Sequence, residues 1–207
     1  MVMLNSPNNP SGSVFTKEEY LEFSKVLMKY PKIIVVSDEI YEHINYGVES
    51  VSFASLPGMY ERTLTMYTFS KKFAMTGWRL GGAIGPEEII EQITRLNVNM
   101  ESCTTHFIQH AGAAGLNAPK EETQAIIDEL KGRRDILVRI LNDIDGVEAH
   151  IPEAGFYVFP KVTGLMQRMG FDDVEEFRKA ALNETGVSFC CRPVSYTHLT
   201  LPTKRIV

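Results

Sequence analysis

Cysteine is scarce in this chain: three residues in 207, at Cys103, Cys190 and Cys191. Two are adjacent and the third is distant, which fits neither a disulfide framework nor zinc spacing. They are expected to be small buried hydrophobes in a reducing compartment, with the cytoplasm as the default location. Basic charge is also short. Lys and Arg number 21 against 26 Asp and Glu, for a net charge of −5, so nucleic acid is not an expected partner. No apolar run approaches the length of a membrane span, and no membrane is expected. The N-terminal MVMLNSPNNP lacks the basic and hydrophobic regions of a signal peptide. Internal repeats and low-complexity segments are absent.

What is present is ordinary globular material. The chain is 44% hydrophobic and 23% charged, enough for one large domain or two modest ones. Residues 5–13, NSPNNPSGS, are dense in turn formers. Thr16 with Glu19 forms a capping box ahead of a helix over 17–29, with Tyr20, Phe23 and Leu27 on one face. The run IIVV at 33–36 reads as a strand buried on both faces, as in a parallel sheet. Apolar segments follow at 63–69 and, rich in glycine, at 79–85. Pro86 at the first helical position opens a helix carrying Ile89, Ile90, Ile93 and Leu96. Helical patterns cover 103–117 and 120–144, where Gly132 marks a bend or a domain crossing. Residues 146–159 read as two short strands. Asp172 with Glu175 caps a helix over 173–184, and 186–191 is a further strand. The expected fold is α/β: a mostly parallel, three-layer sheet domain over 1–130, then a smaller α+β domain over 131–192.

Chemistry-bearing residues gather where strands end, the place where open α/β sheets collect their sites. Asp38 follows IIVV, with Tyr41 three residues on. Lys71 follows the segment ending in Phe69, Arg79 lies eight residues later, and Asn9 sits in the first loop. Alone, Asp38 would read as a turn or cap residue and Lys71 as a solvated surface charge. His106 and His110 have the spacing of a metal pair on a helix, but no third ligand is near and no metal is expected.

Longer strings decide the matter. TFSKKFAMTGWRLGGAIGP (68–86) closely resembles the pyridoxal-phosphate attachment site of the class I/II aminotransferases, with Thr68 where serine is usual. VVSDEIYEHINYG (35–47), NSPNNPSG (5–12) and EAGFYVFP (153–160) are similar to further motifs of that family, in the same order. The resemblance covers residues 1 to about 192. It implies the aspartate-aminotransferase fold, with a homodimer whose active sites lie at the subunit interface. It implies pyridoxal 5′-phosphate as cofactor, and an amino acid and a 2-oxo acid as substrates. Lys71 would form the Schiff base and then act as general base. Asp38 would pair with the pyridine nitrogen. Tyr41 and Asn9 would hold the phenolic oxygen. Arg79 would grip the phosphate, joined by Thr68 and Ser70. Trp78 would be either a substrate contact or, the favoured reading, a core residue packed beside Arg79, and Tyr46 and Tyr67 are expected in a core or interface. Phe156 and Tyr157 either line the substrate side or simply pack.

Other parts expected of the family are not found in this sequence: a glycine-rich phosphate loop, a ring-stacking aromatic and a carboxylate-clamping arginine. The chain is therefore expected to be a fragment that binds cofactor weakly, transaminates poorly or not at all, and exposes a sheet edge. Residues 193–207 resemble translated adaptor sequence rather than protein, so Arg205 is not assigned the clamp. Within the family the strings favour the aspartate/aromatic/alanine branch. Alternatives on the same scaffold are a C–S β-lyase, a decarboxylase or a cyclopropane-forming synthase. The effector domain of a transcriptional regulator is a further alternative.

Overall fold

The computed structural model describes residues 1–190. Cys191, Arg205 and the tail 193–207 lie outside the described residues. The chain divides into two compact units. One comprises Met1–Asp135 with Ile151–Tyr157, and the other Ile136–His150 with the described residues from Val158 on. Residues 131–135 and 151–157, expected in the smaller domain, thus group with the sheet.

The first unit is built on a four-stranded sheet in the order β1 (Val2–Asn5), β2 (Val35–Asp38), β3 (Thr63–Thr68), β4 (Gly81–Ile84). The first three strands are parallel and β4 runs antiparallel to β3. Helix α1 (Lys17–Leu27) connects β1 to β2. Its capping box is present: the Glu19 amide donates to Thr16 Oγ1, and the Thr16 amide to Glu19 Oε2. The helix buries Tyr20, Ser24 and Leu27. Tyr20 and Leu27 join Leu4, Val35, Phe53, Leu56 and Met59 in the core. Fully buried side chains of this size contribute about 1.5–3 kcal/mol each, so this cluster is the main anchor of the sheet.

Strand β2 starts two residues later than expected. The Ile33 amide is taken by the Tyr30 carbonyl at 3.1 Å, closing a turn before the strand begins. Only one face of β2 is fully covered: Val35 and Ser37 are buried, whereas Val36 and Asp38 are half-buried. The half-covered face is the one that carries Asp38.

Short helix α2 (Phe69–Lys72) follows β3 directly. Pro86 caps α3 (Glu87–Met100) rather than entering it. Next come α4 (His106–Asn117) and α5 (Glu121–Asn142). Helix α5 is unbroken through Gly132, and the division between units falls after Asp135.

The second unit continues with α6 (Thr163–Met169) and α7 (Val174–Thr185). Asp173, not Asp172, caps α7, accepting from the amides of Glu175 and Glu176 at 2.8 and 2.9 Å. The two strands expected over 146–159 are reduced to isolated bridges, Glu148 with Lys161 and Asn45 with Ala154. The reason is visible in the backbone partners. The Asn142 side chain takes both the N–H and the C=O of Ala149, and Glu153 to Gly155 bond to loops of the first unit. Residues 186–190 form no strand. Cys103 and Cys190 are exposed, against the expectation that they pack inside. Among the described residues no helix is long and apolar enough to cross a membrane.

Candidate active site

Sheet register brings the expected residues to one edge. Asn5, the last residue of β1, pairs with Asp38, the last of β2, which pairs with Met66 of β3. Two residues further, Thr68 ends β3 and pairs with Gly81, the first residue of antiparallel β4. Three parallel strands therefore finish where the fourth begins. Asp38 and Thr68 end their strands, Asn9, Tyr41, Ser70 and Lys71 follow strand ends, and Arg79 precedes a strand start. The direction of β4 is what puts Arg79 on the same side.

The exit from β2 is held by a residue that the sequence reading passed over. Glu39 is buried, and its Oε1 accepts from Ser37 Oγ at 2.8 Å, Ser52 Oγ at 3.1 Å and the Phe53 amide at 3.1 Å. Burial still pushes its carboxyl above the usual range, outweighing these bonds. The alternation of side chains along the strand sends Glu39 into the protein and leaves Asp38 on the open face. Among the described residues Asp38 accepts only a long bond, from the Ile40 amide at 3.5 Å, and burial raises its pKa as well. It is a half-buried carboxyl with acceptor capacity to spare, and a cationic group beside it would favour its charged form.

Asn5 organises the first loop. Its side-chain Oδ1 accepts from the Asn9 amide at 2.8 Å, and its Nδ2 donates to the Asp38 carbonyl at 3.3 Å. Asn9 Nδ2 then donates to the Tyr41 hydroxyl at 3.4 Å. Tyr41 is 2% exposed. Burial first, and then Tyr157, hold its phenol well above the ordinary range.

On the β3 side, Thr68 caps α2, accepting from the Ser70 amide at 3.2 Å and donating to the Leu80 carbonyl at 3.4 Å. Lys71 Nζ lies 5.7 Å from the centre of the Tyr41 ring and 5.3 Å from that of Phe156. Lys72 turns to Phe73 instead, at 5.1 Å. Arg79 is exposed and donates to the Thr76 carbonyl at 3.0 Å. It adopts a left-handed backbone at φ 53°, ψ 47°, a conformation that costs a non-glycine residue about 1–2 kcal/mol. Trp78 is 46% exposed, so it does not pack into the core as expected.

Helix α4 buttresses α2. A Cβ at Gly112 would come within 2.5 Å of Leu80 Cδ2 and 3.1 Å of Phe69. The absence of a side chain lets α4 close on the residue two before Lys71. The run AGAAGL at 111–116 was the available signal. His106 and His110 stack edge to face at 4.7 Å.

The segment Ile151–Tyr157 supplies the remaining wall. The Gly12 carbonyl accepts the amides of Glu153 and Ala154, both at 3.0 Å, and the Gly155 amide donates to Ile44. The Tyr46 hydroxyl donates to the Gly155 carbonyl. Arg134 stacks on the Tyr46 ring at 4.4 Å and donates to the Pro152 carbonyl at 3.0 Å. This pinning delivers Phe156 to Lys71, and places the Tyr157 hydroxyl 3.1 Å from that of Tyr41.

Comparison with known proteins gives this geometry its context. An aspartate aminotransferase of Pinus pinaster is 44% identical over 164 residues, covering 77% of this chain and 33% of that protein. The crystal structure of the aspartate aminotransferase from Rhizobium meliloti superposes with a TM-score of 0.85 at 34% identity, covering 90% of this chain and 48% of that one. The aromatic aminotransferase from Pyrococcus horikoshii OT3 gives a TM-score of 0.82 at 36% identity, with 90% and 49% covered. The chain thus spans a third to a half of the length of these relatives. The profile described as aminotransferase class I and II matches residues 1–206, including most of the tail that resembles adaptor sequence. The chain belongs to the class I and II aminotransferases.

Proposed function

We propose that this chain carries the cofactor-holding half of an aminotransferase, with pyridoxal 5′-phosphate bound through Lys71. The observation that supports this most is the convergence of Lys71, Asp38, Tyr41 and Asn9 at the strand ends, with Lys71 Nζ over both the Tyr41 and Phe156 rings. The family is dependent on that cofactor, and the donor set here fits it. Asp38 offers an under-used carboxyl for a pyridinium nitrogen. Asn9 and Tyr41 offer donors for a phenolic oxygen. Arg79, with the hydroxyls of Thr68 and Ser70, offers the charge and hydrogen bonds a phosphate requires.

When bound, the cofactor supplies the electron-withdrawing ring that acidifies the substrate Cα–H. The protein's part is to bind, orient and move a proton. Lys71 Nζ would hold the cofactor and, once displaced by the substrate amine, take the proton from the substrate Cα. The substrates are an amino acid and a 2-oxo acid. The named activities of the relatives favour the aspartate and aromatic branch. The two exposed thiols fit a reducing, cytoplasmic setting, and a homodimer follows the family pattern. A lyase on the same scaffold would share Lys71, Asp38 and Arg79.

The test is product analysis on the longest form of the protein that contains this chain, supplied with L-aspartate or an aromatic amino acid and 2-oxoglutarate. Glutamate together with the matching keto acid, lost in Lys71→Ala, supports the reading. Pyruvate with ammonia or sulfide would assign a lyase instead.

A further inference from the structure

We propose that Tyr157 is a positioning residue that orients the Tyr41 hydroxyl toward the site. The inference rests on the reading above and deepens it. A phenol oxygen has one proton and two lone pairs. Asn9 Nδ2 donates to the Tyr41 oxygen at 3.4 Å, occupying one lone pair. The Tyr157 hydroxyl, at 3.1 Å, is the second partner. Once an acceptor stands in front of Tyr41, its proton goes to that acceptor, and Tyr157 must donate into the remaining lone pair. Tyr41 is then fixed in rotation, and its donor is strengthened by the two bonds it receives.

The ring contacts support the same role. Tyr157 and Tyr41 meet edge to face at 5.8 Å, so the ring packing is separable from the hydroxyl contact. Tyr157 is held from behind, because residues 153–155 are bonded to Gly12, Ile44 and Tyr46. The groups facing Tyr41 are Asn9, Tyr157, the Asp38 carboxylate and the Lys71 ammonium. In the cofactor-free chain Tyr41 gives its own proton to Tyr157, and this bond to the neutral phenol raises Tyr41 above the level set by burial.

The experiment compares wild type with Tyr157→Phe, which keeps the ring and removes only the hydroxyl. In the cofactor-free chain labelled with [13Cζ]tyrosine, the Tyr41 signal is assigned from Tyr41→Phe. Its midpoint is expected to fall in Tyr157→Phe by about half to one pH unit, the worth of one hydrogen bond. In the longest form of the protein that contains this chain, loaded with pyridoxal phosphate, the pH midpoint of the visible band is expected to rise in Tyr157→Phe. The rise follows the direction of Tyr41→Phe and is smaller, because a weakened donor stabilises the phenolic oxygen's negative charge less. An unchanged Tyr41 signal, or a visible midpoint equal to wild type, overturns the role of Tyr157. Failure of that longer wild-type protein to take up any visible band overturns the cofactor reading instead. The tyrosine titration then decides alone whether the two hydroxyls act as a pair.

Discussion

Gly12 stands directly against Pro152: a Cβ on Gly12 would lie 2.3 Å from Pro152 Cβ and 2.9 Å from the Ala154 carbonyl oxygen. Gly12 also has φ +72°, the left-handed region that favours glycine. Gly12→Ala therefore meets both a steric and a backbone penalty. It is expected to destabilise the first unit by about 2–4 kcal/mol, combining overpacking with left-handed strain. Denaturant titration measures the loss. The pinning of 151–157 should fail with it, seen as a change in the Tyr157 resonance. A melting temperature equal to wild type would show that the loop does not need this contact.

Glu39 gives stability a pH dependence. Its folded midpoint is raised above the ordinary 4.5, chiefly by burial. A raised carboxyl binds its proton more tightly in the folded chain. Its contribution is fully present below the unfolded midpoint and is lost as pH rises through the folded midpoint. Asp38, also raised, adds a slope of the same sign. Urea titrations from pH 4 upward, an interval of roughly ordinary carboxyl titration, should show stability changing less steeply in Glu39→Gln than in wild type. Identical slopes would contradict this assignment.

Arg79 separates stability from binding. Its φ of 53° is strained for arginine and free for glycine, and its side-chain bond to the Thr76 carbonyl is exposed. Arg79→Gly is expected to melt at or slightly above the wild-type temperature. Loss of a charged hydrogen-bonding partner worth about 1.5–3 kcal/mol should weaken pyridoxal phosphate binding by roughly 10- to 100-fold. Fluorescence titration with the cofactor measures the second effect. Unchanged affinity would remove Arg79 from the phosphate grip.

Much of this architecture was legible in the residues. Thr16 and Glu19 announced α1 because a capping box is local chemistry. The apolar run ending in Phe69 announced β3 because its flanks are polar. The segment 146–159 was misread for a physical reason. Its alternating apolar residues look like strands, but its backbone partners are the Asn142 side chain, Gly12, Ile44 and Tyr46. No periodicity encodes a side-chain partner or the distant loop partners. Glu39 was passed over because a carboxylate beside Asp38 looks like a second surface charge until its three donors are seen. The alignment of Arg79 with Lys71 likewise depends on β4 running antiparallel, which the short glycine-rich run does not specify.

Lys71, and not its neighbour, is proposed to carry the cofactor. Their side chains diverge, Lys71 toward Tyr41 and Phe156 and Lys72 toward Phe73. The direct measurement is borohydride reduction of the chain equilibrated with pyridoxal phosphate, followed by peptide mass mapping. The structure predicts a stable pyridoxyl adduct on Lys71 that is lost in Lys71→Ala and retained in Lys72→Ala. An adduct on Lys72 or another lysine, or equal labelling of the Lys71→Ala chain, would contradict it.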